Sequence, residues 1–490
     1  MRSYRRWIVT LLGAGLIVHG AVLLAAYWKT GTIDAFALRS LDCGEYHALA
    51  RSLVEHGAFS QSEAPPFAPD TWRTPGYPLF LAAIMLVVGK SPVALVLAQQ
   101  VLAMINVLLA FCVARGKMSD SRAALAAILF LLEPYHLFYS LWLLSTTWLV
   151  TLILLTWLAW SKAIAGAEGW RFALLGGWCG FLVLTWPGAI LVPVATAMGI
   201  LISRLLRRPP HKPTAGVVGI VIFLAVTSAV AGSWMVRNQR AAGKPAFSHQ
   251  SGMVLAYFKA AEVVLWRQGQ TENRYLETSL SPDRKDDPHP IWETIDESLQ
   301  GFLDELPLEQ RKELTWPNLA QGNKTSVDSF RISAALESIA YGYLLGSPRS
   351  TLACCLARCG SILTFPLDLA LWPPKGVEVH RLRSAALGGL YFLLCVAVIV
   401  RLVRKWIGFQ ALYFPLACTL ALLLATTPQT DPRFRVPMIP LLIFVALLPV
   451  VSTANRERSC EPFARATRED RPADRRASTT GGPDRQEEPC

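Results

Sequence analysis

Apolar runs long enough to matter in a bilayer recur along the chain at 7–28, 92–114, 122–134, 138–161, 172–186, 188–204 and 215–235, and again at 350–371, 384–401, 409–427 and 436–452. A spanning helix needs roughly 20 predominantly apolar residues, whereas a secretory signal has an apolar core of about 7–15. The first run, Trp7 to Trp28, therefore predicts an uncleaved helix rather than a signal. The run 77–89 is too short to cross comfortably, and its length predicts an interfacial or re-entrant helix. Between 237 and 346 the chain turns polar, with Pro, Asp and Glu and little sustained apolar periodicity.

Charge orients these segments. Arg2, Arg5 and Arg6 precede the first run and keep its start in the cytoplasm. The basic connections RGKMSDSR (115–122), SKAIAGAEGWR (161–171) and RLLRRPPHK (204–212) fall where alternation predicts cytoplasmic loops, provided 77–89 does not cross. The first outer loop, within 29–91, and the polar stretch 237–349 then lie outside. After residue 349 two arrangements remain. If 350–371 spans, HRLR (380–383) is cytoplasmic and the C-terminus ends outside; if it only dips, RLVRK (401–405) and the tail are cytoplasmic. The second places more positive charge inside. The expected organisation is an N-terminal membrane module 1–236, an extracytoplasmic loop or small domain 237–349, C-terminal helices 350–454, and a tail 455–490 too polar to fold. The fold class is an all-α polytopic membrane protein of about 10–11 transmembrane helices, with interfacial helices in the first outer loop.

Composition agrees. Hydrophobic residues make up 53% of the 490 and charged residues 17%, against about 25% charged in soluble domains. The net charge of +12 resides mostly in short loops between apolar runs, which excludes a nucleic-acid surface as its main purpose. Most of the 10 Cys lie in apolar stretches. The group Cys354, Cys355 and Cys359 lacks a companion His, so it gives no metal centre, and no cofactor is expected. No Gly-rich nucleotide loop is present: Gly89-Lys90-Ser91 has Ile84 where a P-loop needs glycine. Asn323-Lys324-Thr325 matches a glycosylation sequon, to which no role is attached.

Chemistry concentrates at four places along the predicted outer face. In the first loop, Tyr46, Leu49, Ala50, Leu53 and Val54 recur at helical spacing from Glu45 to His56. Asp42 stands at the edge of that helix with Glu45 three residues on, and spacing alone favours an N-cap box. A carboxylate fixed at a helix start is also well oriented for chemistry. Next, Arg73-Thr74-Pro75-Gly76-Tyr77-Pro78 predicts a stiff surface turn. Its Arg73 either anchors to lipid phosphate or meets an anionic substrate. Trp234-Met235-Val236-Arg237-Asn238 closes the seventh span, where a lone Arg commonly snorkels. Finally, Asp431-Pro432-Arg433-Phe434-Arg435-Val436-Pro437 opens the last span with two guanidinium groups.

Together these motifs resemble the GT-C membrane glycosyltransferases, most closely the group similar to dolichyl-phosphate-mannose protein mannosyltransferases and lipid A aminoarabinose transferases. The resemblance runs from the first helix to the last, apart from the tail and much of 255–330. It implies a bacterial inner-membrane enzyme with its active site outside. A sugar would move from a polyprenyl-phosphate donor to a hydroxyl on a lipid, glycan or protein acceptor, usually with inversion. It makes Asp42 the base and Arg237 a donor-phosphate contact. Arg73 and Arg433 become further phosphate or head-group contacts, and Glu45, Tyr46, Tyr77, Asn238 and Arg435 are carried along as substrate-binding positions in the same motifs. Many relatives carry a Glu where this chain has Ser145-Thr146-Thr147, and Glu133 is the nearest acidic residue in sequence. That departure leaves a two-acid mechanism and any metal requirement open. A transporter or flippase of a lipid-linked substrate, and a catalytically idle GT-C scaffold, are the alternatives. The first would show internal repeats and broken mid-membrane helices.

Overall fold

The computed structural model describes residues 2–166, 168–205, 213–269, 327–364, 389–400, 409–427 and 432–448. The loops 380–383 and 401–405, Asp431, residues 270–326 with the sequon, and the tail 455–490 lie outside the described residues. Every regular element among those described is helical. Five helices have both the length and the apolarity to cross a membrane: Tyr4–Thr30, Pro92–Arg115, Thr146–Ala165, Pro187–Arg204 and Val217–Ala242. The shorter apolar helices are Gly76–Val88, Gly169–Thr185, Gly389–Val400 and Leu412–Thr426. The all-α polytopic architecture is therefore observed.

In chain order the elements are α1 (Arg2–Thr30), α2 (Asp34–Ala37), α3 (Leu41–His56), α4 (Gly76–Val88), α5 (Pro92–Arg115), α6 (Asp120–Leu131), α7 (Pro134–Tyr139), α8 (Thr146–Ala165), α9 (Gly169–Thr185), α10 (Leu191–Leu205) and α11 (Pro213–Ala242). α12 (Gln250–Met253) and α13 (Ala261–Arg267) follow, joined by a π-helical segment, Val254–Ala260. Helix Val327–Leu345 packs on α12 and the π segment, and helices Pro348–Thr364, Phe409–Thr426 and Ile439–Leu447 complete the set.

α8 is the pillar of the bundle. Its apolar window is 67% buried, against 17% for α1 and 22% for α11, so α8 is surrounded by protein while the others present a face to lipid. Trp157 and Trp160 on α8 pack on Phe414, and Trp157 also meets Phe444 edge-on. α9 and α11 approach closely because α9 carries Gly176 and Gly180 on one face. A Cβ at Gly176 would stand 2.7 Å from the Phe223 carbonyl oxygen, and one at Gly180 2.6 Å from Val230. Small residues four apart admit a neighbouring backbone in this way, and dispersion contacts then hold the pair in lipid.

The run 138–161 is not one continuous helix. α7 ends at Tyr139, an irregular stretch follows, and α8 begins at Thr146. Irregular backbone between two apolar helices needs internal partners, and buried amides on α5 supply them. Gln99 donates to the carbonyls of Ser140 (3.0 Å) and Trp142 (2.5 Å), while Asn106 donates to the carbonyl of Thr147. Gln100 accepts from the Ser140 hydroxyl at 3.2 Å, so two glutamines and an asparagine on a spanning helix pin the connection at the head of α8.

Candidate active site

α3 begins one residue before Asp42. Ser40 is its N-cap, with its hydroxyl accepting from the Cys43 amide, and Gly57 at φ +66 closes its C-terminus. Asp42 is therefore not the cap that spacing favoured. It sits in the first turn, where the positive end of the helix favours a carboxylate, and its side chain turns to two arginines. Glu45 likewise makes no capping box: its carboxylate accepts from Arg73 Nε at 2.5 Å.

The Arg73 turn is assembled from buried polar contacts. Asp70, fully buried, accepts the backbone amides of Trp72 and Arg73 at 2.9 Å each, and the Gln61 side chain closes on it as well. Burial pushes the Asp70 carboxyl up, opposed by the Arg73 amide and the Gln61 bond. His249 bonds Thr71 at 2.8 Å, and Ser248 donates to the Trp72 carbonyl, so the segment after α11 braces the turn from the other side. Burial pushes the His249 imidazole down to about 3, so it is a neutral partner there. Gly76 lies against the C-terminus of α9; a Cβ would stand 2.7 Å from the Thr185 amide nitrogen and 2.8 Å from the Leu184 carbonyl carbon. Tyr77 is buried and donates to Gln99 at 2.7 Å, linking this turn to the α7–α8 connection.

Arg73, with its side chain 7% exposed, is paired with both Asp42 and Glu45 and lies over the Tyr46 ring at 5.0 Å. Arg433 arrives from the other end of the sequence, with Nη1 2.9 Å from Asp42 Oδ2. It belongs to a 3-10 turn, Pro432–Arg435, in which alternate side chains diverge. Arg433 faces Asp42, Phe434 stacks on Trp186 at 5.4 Å, and Arg435 is fully buried between the rings of Tyr135 and Tyr391, 4.2 Å from each. Burial alone would raise the Asp42 pKa. The two guanidinium groups outweigh it and hold the carboxyl below the usual carboxylate range.

These groups stand at one end of a cavity of about 630 Å³. The cavity is gathered from the head of α8 (Ser145, Thr146), the end of α9 (Thr185, Trp186), the end of helix Phe409–Thr426 and the π segment after α12. Asp42, Glu45, Tyr46, Arg73 and Arg433 mark its charged side; Trp72, Leu149, Met235, Phe247, Met253 and Phe258 give it apolar walls. Such a space can seat an anionic group against arginine with an apolar chain beside it.

Four expected site residues do not line it. Arg237 donates to the carbonyls of Asp70 (2.5 Å) and Phe59 and lies over the Trp234 and Phe59 rings, so it fixes the loop that precedes Arg73 rather than facing the cavity. Asn238 holds the carbonyls of Ala246 and Phe247. Tyr77 and Arg435 are packed into the core, as described above. Glu133 is not a cavity acid either: it caps α7 through the His136 amide and accepts from Tyr391. The residues at the missing acidic position are uncharged, and Ser145 and Thr146 contribute hydroxyl-bearing side chains to the wall.

Two contributors went unnoticed in the sequence. Asp70 could have been read from its position three residues before Arg73, the spacing of a side chain that accepts turn amides. Lys259 lines the cavity and donates to the Ala425 carbonyl at 2.6 Å, yet it lies in a stretch without helical periodicity to mark its face. Near it, Cys354 adjoins a buried Glu262–Arg358 ion pair of 2.7 Å, so that cysteine group is less apolar than its sequence suggested. Among the described residues no group of three or more His, Cys, Asp or Glu could hold a metal ion.

Fold and site define a polytopic helical membrane protein with a carboxylate–arginine cluster lining a largely apolar cavity. Residues 72–234 match the family model described as dolichyl-phosphate-mannose-protein mannosyltransferase, and the chain's resemblance to GT-C glycosyltransferases is supported by that match. The matched segment contains Arg73 and stops short of Arg237 and Arg433. Among solved structures, ArnT from Cupriavidus metallidurans bound to undecaprenyl phosphate is similar at 13% identity and a TM-score of 0.38, over 96% of this chain and 81% of that one. The archaeal oligosaccharyltransferase AglB from Archaeoglobus fulgidus, in complex with an inhibitory peptide and a dolichol-phosphate, gives 12% identity and 0.39, over 97% and 53%. The Archaeoglobus fulgidus oligosaccharyltransferase tethered with an acceptor peptide containing the NVT sequon gives 11% and 0.41, over 90% and 49%. The chain spans about half the length of these two archaeal proteins. No curated protein matches it in sequence.

Proposed function

We propose that this protein transfers a sugar from a polyprenyl-phosphate donor to an acceptor hydroxyl at the extracytoplasmic face of a bacterial inner membrane, with Asp42 as the base. The observation that carries the reading is Asp42 held between Arg73 and Arg433 in the wall of the largely apolar cavity. The acceptor oxygen attacks the anomeric carbon from the face opposite the phosphate. A C–O bond forms, the bond to phosphate breaks with its electron pair leaving on the phosphate, and the hydroxyl proton passes to Asp42. The sugar inverts. A positioned carboxylate contributes about 10²–10⁴-fold to such a step. Guanidinium groups stabilise the departing phosphate by charge-assisted hydrogen bonds, and the apolar walls suit the polyprenyl chain.

Charge supports the sidedness. Arg171 reaches the Lys162 carbonyl and Arg204 reaches the Gly166 carbonyl, so these basic residues gather at the end of α8 away from Ser145 and Thr146, which line the cavity. Lys and Arg mark the cytoplasmic side. This favours an enzyme over a flippase, because the charged groups that would meet substrate gather at one boundary rather than at mid-membrane. The test is turnover of a panel of polyprenyl-phosphate sugars by protein reconstituted in liposomes. Wild type releases polyprenyl phosphate and glycosylates an acceptor, and Asp42→Asn, still folded, does not. Full transfer by Asp42→Asn removes Asp42 as base, and binding without turnover by wild type supports the idle scaffold.

A further inference from the structure

The two arginines on Asp42 differ in how they are held. Arg73 has its side chain 7% exposed, on a turn whose amides are fixed by Asp70, and it bonds a second carboxylate, Glu45, which is itself 10% exposed. Arg433 is 28% exposed, lines the cavity, and comes from a single 3-10 turn anchored at its other end by the buried Arg435. Both oxygens of Asp42 are engaged: Oδ1 by Arg73 and Oδ2 by Arg433 at 2.9 Å. In this arrangement both carboxylate oxygens are occupied by guanidinium groups and the carboxylate is a poor proton acceptor, since base strength falls as the conjugate acid strengthens. Arg433 is the more exposed of the two guanidinium groups, so an anionic group in the cavity draws it away from Asp42 more readily than Arg73.

We propose that Arg433 exchanges partners, leaving Asp42 for the phosphate of the lipid-linked donor, so that donor binding itself frees Oδ2 to accept the acceptor's proton. Arg73 stays on Oδ1 and keeps the carboxylate aimed. The proposal rests on the donor reading above and adds an order of events: the base is engaged with arginine until the phosphate arrives, and water or acceptor meeting the empty site finds no competent base. The exchange is ionic and breaks no covalent bond.

The exchange makes Asp42 a competitor of the donor for Arg433, which a fixed ion pair would not be. The experiment is titration of wild type, Asp42→Asn and Arg433→Gln in nanodiscs with polyprenyl phosphate of one chain length, read by native mass spectrometry, with melting curves as the check on folding. Removing the competing charge in Asp42→Asn tightens binding about two- to fivefold, the worth of one partly exposed ion pair, while transfer is lost. Arg433→Gln, which leaves Arg73 on Asp42 and Glu45, weakens binding about tenfold or more and serves as the second variant if Asp42→Asn does not fold. Wild-type binding that is unchanged or weakened by Asp42→Asn overturns the exchange and leaves the donor reading standing. Equal binding by wild type and Arg433→Gln overturns it too. A wild type that binds no polyprenyl phosphate removes the donor reading instead.

Discussion

Replacing Arg73 by Met removes one guanidinium from between two carboxylates and leaves the methylene bulk in place. Glu45 is 10% exposed and Asp42 26% exposed in their pairs with Arg73, so the two losses are unequal. Breaking a buried pair by deleting one partner costs about 3–5 kcal/mol, because the surviving charge stays desolvated. Asp42 is a quarter exposed and keeps Arg433, which reduces its share. The stacking of Arg73 over Tyr46 adds about 0.5–1 kcal/mol. Arg73→Met should therefore destabilise by about 2–4 kcal/mol, mostly through loss of the Glu45 pair. Glu45→Gln in the same background removes the charge that pair had compensated and should restore about 1–3 kcal/mol. The assay is reversible unfolding in mixed micelles, followed by tryptophan fluorescence, on both single variants and the double. A double variant no more stable than Arg73→Met refutes the reasoning, since the cost would then lie in packing rather than in unpaired charge.

Gly76→Ala places a methyl 2.7 Å from the Thr185 amide nitrogen. It should cost about 1–3 kcal/mol of stability, visible as a lower melting temperature, and should weaken transfer by displacing Arg73. Arg435→Met empties the charge from between Tyr135 and Tyr391. It should lower stability without changing affinity for polyprenyl phosphate in the fraction that remains folded, as measured by binding and melting in parallel. The pH dependence follows from Asp42, whose folded pKa lies below its unfolded value near 4. Its contribution to stability is complete above about pH 4 and is lost as pH falls through the folded pKa. Arg433→Gln brings the folded pKa closer to the unfolded value, so it should shrink the stability lost between about pH 6 and 3 in melting curves.

The motifs made the first outer loop legible because its constraints are local. An arginine on a Pro-Gly turn and a carboxylate at a helix start can both be read from spacing, and the structure joins them. The R-F-R motif was legible as charge but not as geometry. A 3-10 turn sends neighbouring side chains in different directions, so Arg433 goes to the cavity and Arg435 to the core. Arg237 was read as a helix-end residue, but α11 continues to Ala242 and the guanidinium turns back onto the Asp70 and Phe59 carbonyls. The break at 140–145 left no composition signal, since the donors that satisfy it, Gln99 and Asn106, lie on another helix. Lys259 escaped because a π-helical segment shifts the phase on which a periodicity argument depends.

The central claim is that the cavity beside Asp42 seats a polyprenyl-phosphate sugar with its phosphate at arginine. A density map of the Asp42→Asn protein in nanodiscs, prepared with an excess of such a donor, tests it most directly. The expected map shows phosphate density against Arg433, the anomeric carbon facing residue 42, and polyprenyl density along the Phe258 and Met253 wall. Donor density elsewhere on the bundle, with the cavity empty and Arg433 unmoved, would contradict it.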